Sequence, residues 1–207
     1  MNFTEDEIGR RYAQLMDEVA FRLEYLHDTV QKLKAGSISG PRFLNAEFGF
    51  FQVRLVCELV ALAVVIAHDE LPEGISPFLK EYRADAIFHR LAAINEDSFP
   101  APVEVETDNA ANAAKVFFTG NTAVDRVELR KIYTDCDNYL HRGRLKNVLA
   151  SPSKVYPIAK LERWTERLVN LLKWHVIVLP HANRSLLVQL KSSETGLAVV
   201  YNIKAAP

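Results

Sequence analysis

Residues 55–67 read LVCELVALAVVIA, apolar on nearly every face of a helix. A helix with no polar face has to be surrounded by other elements, so residues 42–68 are expected to form the central helix of a bundle. The most apolar part, residues 59–67, is less than half of the ~20 residues that span a bilayer, and Arg54 and Glu58 stand just before it. The expectation is therefore a core helix with no membrane partner. Charges inside such a helix must be paired or hydrogen-bonded. Arg54 and Glu58, four residues apart, are expected to be a buried charge pair that fixes packing register.

Upstream, Thr4 and Glu7 have the spacing of a capping box, and Ile8, Tyr12, Leu15, Val19, Leu23, Leu26, Val30 and Leu33 step by three and four. This predicts one long amphipathic helix. It stops at AGSISGP, residues 35–41, where glycine ends one helix and Pro41 opens the next, so the first two helices are expected to be antiparallel.

Downstream, Ser76-Pro77 predicts the start of a third helix running to about Ile94 and carrying Arg83, Asp85 and His89. Residues 98–114 change character. Their prolines enforce extended chain, Val103-Glu-Val-Glu106 alternates like an edge strand, and residues 115–119 are candidates to pair with it. Asp125 and Glu128 open a fourth helix that reaches His141 and stops at Gly143. Pro157 opens a fifth, with Ile158, Leu161, Trp164, Leu168, Leu171 and His175 on one stripe and a last turn leading to Pro180. Residues 185–190 and 197–203, joined by a turn, read as a hairpin. The predicted fold is mostly α, a single domain over 1–207. It comprises a bundle of about five helices over about 4–178 and a C-terminal β-hairpin over about 185–204, at most a small α+β appendage.

The 207 residues suffice to bury roughly 70% of the surface the unfolded chain exposes, and 49% hydrophobic with 25% charged residues is an ordinary globular composition. A net charge of -1 supplies no global field to recruit nucleic acid or anionic membrane. Cys57 and Cys136 are too few for a disulfide framework or a zinc site and read as reduced, buried thiols. The first residues, MNFTEDEIGRRY, lack the apolar stretch of a secretory signal, so a cytoplasmic location is expected. The chain has no glycine-rich phosphate loop, Gly-x-Ser-x-Gly elbow or His-Glu-x-x-His. Neither cofactor nor metal is expected.

The densest polar cluster ends the fourth helix. Asp137 and His141 are four apart, so the carboxylate can fix one imidazole nitrogen while the other faces outward, half of a general acid–base device. Arg142 and Arg144 would make the following loop a local positive patch. The alternative is structural: a histidine favoured by the helix dipole, with the two arginines capping the last carbonyls. Phe43, Phe48, Phe50 and Phe51 spread over several helical faces and read first as core, though a pocket or partner surface is also open.

YTDCDNYLH at 133–141, RAD at 83–85 leading to FPAPV at 99–103, and NLLKWH at 170–175 together resemble an uncharacterised family of bacterial helical proteins. That resemblance covers most of the chain and implies a helical fold without an established activity. Arg142-Gly-Arg144 stands where its members often carry Asn-Pro after the Leu-His pair. More distantly, Arg83 and His89 have the spacing of the Arg-x4–6-His motif in HEPN domains, helical bundles with ribonuclease members, although Ala84 replaces the usual polar residue. This likeness implies a metal-independent ribonuclease of a bacterial stress or phage-defence context. Arg83 would bind phosphate, His89 would act as acid or base, and two copies would form the site. The expected function is instead a non-catalytic interaction or self-association module, a homo-oligomer or one bound to a protein partner, with RNA a partner by analogy only.

Overall fold

The computed structural model describes residues 3–69, 75–108, 113–119, 124–141 and 154–204. Helix α1, Glu5–Ala35, begins at the expected capping box: the Thr4 hydroxyl accepts from the Glu7 N–H at 3.3 Å, and the Thr4 N–H donates to the Glu7 carboxylate at 2.9 Å. It ends on Gly36, whose φ of 70° is the left-handed conformation that glycine takes without steric cost. Helix α2, Arg42–Ala67, runs back along it, with Gln52 beside Arg22 and Phe48 beside Tyr25. The two are antiparallel, as expected.

α2 packs against α1, α3 (Ala84–Ile94), α4 (Arg126–Leu140) and α5 (Ile158–Leu172). Val53, Val56, Val60 and Val64 are wholly buried, which is the central position its apolar sequence required. Gly49 marks the closest approach: a Cβ there would lie 2.6 Å from the Leu161 side chain of α5. As a helix of 26 residues, α2 is long and apolar enough to cross a bilayer by length and composition. Its most apolar 18 residues are 61% buried inside this fold, the placement of a core helix.

Two elements differ from expectation. The third helix does not start at Ser76. Residues Ser76–Phe78 form a single 3-10 turn, and α3 begins only after Arg83. In between, the Glu81 carboxylate accepts the N–H groups of Tyr82 and Arg83 at 3.0 and 2.9 Å, a local satisfaction that competes with helix.

The larger correction is the sheet. Among the described residues there are five strands, not a lone hairpin: β1 (Ala101–Asp108), β2 (Ala113–Phe118), β3 (Trp174–Leu179), β4 (Arg184–Gln189) and β5 (Val199–Lys204). All neighbours are antiparallel in the order β2-β1-β3-β4-β5. The hairpin expected at the C-terminus is β4–β5, and the expected pairing of residues 103–106 with residues 115–119 is β1–β2, where Val103 to Glu106 face Phe118 to Lys115. β3 joins them. It occupies residues expected to be the last turns of helix five, because a short apolar run reads equally well as buried helix or buried strand, and Val176-Ile-Val178 favours strand. One face of the sheet sends Ile177, Leu186 and Val188 into the helical core, while Val103, Val176 and Leu187 cluster separately.

Candidate functional site

Arg54 sits where α2 meets α4, and its guanidinium collects the polar residues that the sequence singled out separately. It donates to Glu58 at 3.3 Å, ion-pairs with Asp137, donates to the Tyr133 hydroxyl at 2.8 Å and lies 4.3 Å over the Tyr133 ring. The Tyr133 phenol is also hydrogen-bonded to Glu58; burial pushes it up to about 12, with the Arg54 charge pulling against that rise and Glu58 adding to it. The phenol therefore stays protonated and donates to the carboxylate. The Arg54 and Glu58 side chains are 21% and 22% exposed, so the pair is half-buried rather than buried, but both ends have the expected partners.

This arrangement holds charge without offering it. Arg54 is engaged by two carboxylates and a phenol, which leaves little of its field for an incoming anion. Cys57 and Cys136 lie at the same α2–α4 contact. Burial drives the Cys57 thiol well above its ordinary value and Cys136 up to about 12, so neither is a thiolate at neutral pH. Among the described residues, no three His, Cys, Asp or Glu side chains converge as metal ligands.

His141 does not form the expected side-chain pair with Asp137. The Asp137 carboxylate turns to Arg54, and the link that does form is the backbone bond from the His141 N–H to the Asp137 carbonyl at 3.1 Å. α4 ends there: His141 is extended, and its side chain is exposed. Arg142 and Arg144 lie outside the described residues. The carbonyls at the end of α4 are capped by Lys154, whose Nζ donates to Tyr139 O at 2.7 Å and His141 O at 2.6 Å, a cation where the helix dipole favours one. Arg83, at the N-terminal cap of α3, pairs with Asp85 in its first turn at 2.8 Å, and His89 is exposed on that helix. Arg83 is extended backbone at the cap of α3 and spends its guanidinium on Asp85, so it is not held with His89 on one helical face.

No family model, curated protein or solved structure matches the chain.

The surface carries an aromatic face made in part by residues for which core was the first expectation and a partner surface the alternative. Of the four phenylalanines near the start of α2, only Phe50 is buried, stacked 4.0 Å from Tyr139 and edge-on to Trp164. Phe48 and Phe51 face outward with Leu44, and on α1 Phe21 and Tyr25 face the same way; Phe21 is 63% exposed and Phe48 44%. Tyr25 meets Phe48 edge-on at 5.6 Å, and Phe48 lies 6.2 Å from Phe51, making a continuous aromatic face across both helices. Two signals could have found it. Leu44, Phe48, Phe51 and Leu55 recur at helical spacing, and Phe21 and Tyr25 lie off the buried α1 series of Val19, Leu23 and Leu26.

Proposed function

We propose that this chain is a non-catalytic helical module that associates with a second copy of itself through the aromatic face of α1 and α2. The carrying observation is that face: Phe21, Tyr25, Leu44, Phe48 and Phe51 form one exposed apolar patch, of the kind that marks an association site. Aromatic residues dominate the centres of protein interfaces because they bury large areas while losing little conformational freedom.

A second copy suits the patch better than a charged partner. The ion pairs Glu18–Arg22 and Asp28–Lys32 bracket it along α1, each neutral in itself, so two identical faces meet without repulsion around a twofold axis. The raised Tyr133 phenol and Cys136 thiol, both protonated at neutral pH, support the non-catalytic half of the reading.

Sedimentation velocity over a range of concentrations tests it. The wild-type chain is expected to dimerise, and the double variant Tyr25→Ser, Phe48→Ser, which changes only exposed positions, to remain monomeric. A wild type that stays monomeric throughout would refute self-association. Incubation with single-stranded RNA, with and without chelator, tests the other half. Chelator-insensitive cleavage that disappears in His89→Ala or His141→Ala would establish the ribonuclease instead.

A further inference from the structure

A cleft of about 770 Å³ opens on the neighbouring face of α1, between that helix, the C-terminal end of α5 and the turn joining β4 to β5. We propose that it binds an amphipathic monocarboxylate, a small acid with an apolar chain or ring. Its volume lies within the roughly 300–1,000 Å³ of small-molecule sites. Ala20 and Leu23 from α1, Val169 from α5 and Leu190 from the end of β4 make an apolar lining, so most of an occupant's surface must be apolar as well.

The rim decides the sign of the head group. Glu24 of α1 is ion-paired with Lys191 across the cleft, which neutralises both and ties the turn to the helix. Lys173, at the end of α5, and His27, on α1, also line the cleft, and neither makes a side-chain hydrogen bond or ion pair among the described residues. The unspent charge is thus positive. A neutral lipid would gain nothing from the Lys173 ammonium, which water solvates at this exposed position, and a bare phosphate would leave the apolar walls uncovered. A carboxylate on an apolar body satisfies both, with the charge-assisted bond to Lys173 fixing its orientation.

The turn fits the same role. The Ser192 N–H donates to Leu197 O and the Gly196 N–H to Ser192 O, both at 2.9 Å, so the Ser192 and Ser193 side chains are presented at the cleft on a closed turn. The Ser192 oxygen accepts the Glu194 N–H at 3.2 Å, and the protons of both hydroxyls can turn to the second carboxylate oxygen. The site is separate from the association face: its α1 residues are Ala20, Leu23, Glu24 and His27, not Phe21 and Tyr25.

Decanoate below its micelle concentration is the probe, with 1-decanol as the neutral comparison, followed by amide chemical shifts of the full chain. Saturable decanoate shifts are expected in residues 23–27, Lys173 and residues 192–196. Lys173→Gln, a change at an exposed position, is expected to weaken decanoate about tenfold and leave decanol unchanged. The proposal is overturned by non-saturable shifts, by shifts centred on Phe48 and Phe51, or by equal decanoate affinity in wild type and Lys173→Gln.

Discussion

Tyr12 and His175 are fully buried and far apart in sequence, yet the Tyr12 hydroxyl lies 2.8 Å from His175 Nε2. His175 Nδ1 lies 3.0 Å from the Leu172 carbonyl, which can only accept, so the proton is on Nδ1 and Nε2 takes the Tyr12 hydroxyl. Tyr12→Phe removes that donor and strands a buried acceptor; the expected cost is about 1–2 kcal/mol by urea unfolding. Burial also holds the imidazole down to about 4, from 6.5. The unfolded chain therefore binds this proton more readily, and the stability tied to a neutral His175 is complete above pH 6.5 and lost as pH falls toward 4, by about 3 kcal/mol. His68 has the same sign: it is buried, and burial lowers its pKa. Unfolding midpoints at pH 7, 5.5 and 4 are expected to fall steeply in wild type and more gently in His175→Gln; parallel slopes would remove His175 from the account. The Arg54 cluster behaves differently because it is shared. In Glu58→Ala, Arg54 keeps Asp137 and Tyr133, so the expected loss is about 1 kcal/mol. Removing Glu58 and Asp137 together is expected to cost more than the sum of the single changes, a coupling that a double-mutant cycle reads directly.

At the scale of elements, the start of α1 rests on one reciprocal cap. Thr4→Ala deletes the acceptor for the Glu7 N–H and the contact that positions the Glu7 carboxylate, so about 1 kcal/mol of stability is expected to go, with faster amide exchange confined to the first turns. Uniform acceleration along α1 would show that the cap is not local. Such caps are why α1 and α4 were legible: Thr4 with Glu7, and Asp125 accepting from the Glu128 N–H at 2.7 Å, are local signals that need no tertiary information. β3 was not legible for the opposite reason. It follows α5 with almost no gap, its residues continue an apolar stripe, and its strand identity comes from pairing with β4 and with Ala101-Pro102 of β1, partners that local periodicity cannot see. The site residues divide in the same way. The one partner of Arg54 within α2, Glu58, could be read from a four-residue spacing, but the capture of Asp137 by Arg54 is a contact across 83 positions. That contact displaced the expected Asp137–His141 pair.

At the scale of the whole molecule, self-association and folding stability become one equilibrium. A chain of net charge -1 has little long-range repulsion between copies, so the exposed aromatic face sets the balance between monomer and dimer. If the folded dimer buries that face and the unfolded chain cannot, mass action stabilises the folded state as concentration rises. Each tenfold increase above the dissociation constant adds about 1.4 kcal/mol per dimer. A kcal/mol moves the midpoint of a chain of this size by about 2–4 °C, and the shift per tenfold dilution is expected to be of that order. Tyr25→Ser with Phe48→Ser is expected to make the midpoint independent of concentration. At high dilution, where wild type is also monomeric, the two are expected to melt close together, because neither side chain belongs to the buried core. Because the contact is apolar and its flanking ion pairs are internally neutral, sodium chloride is expected to leave the concentration dependence intact and sodium sulfate to increase it. A wild-type midpoint that does not move over a hundredfold range of concentration would show that the aromatic face does not join two copies of this chain.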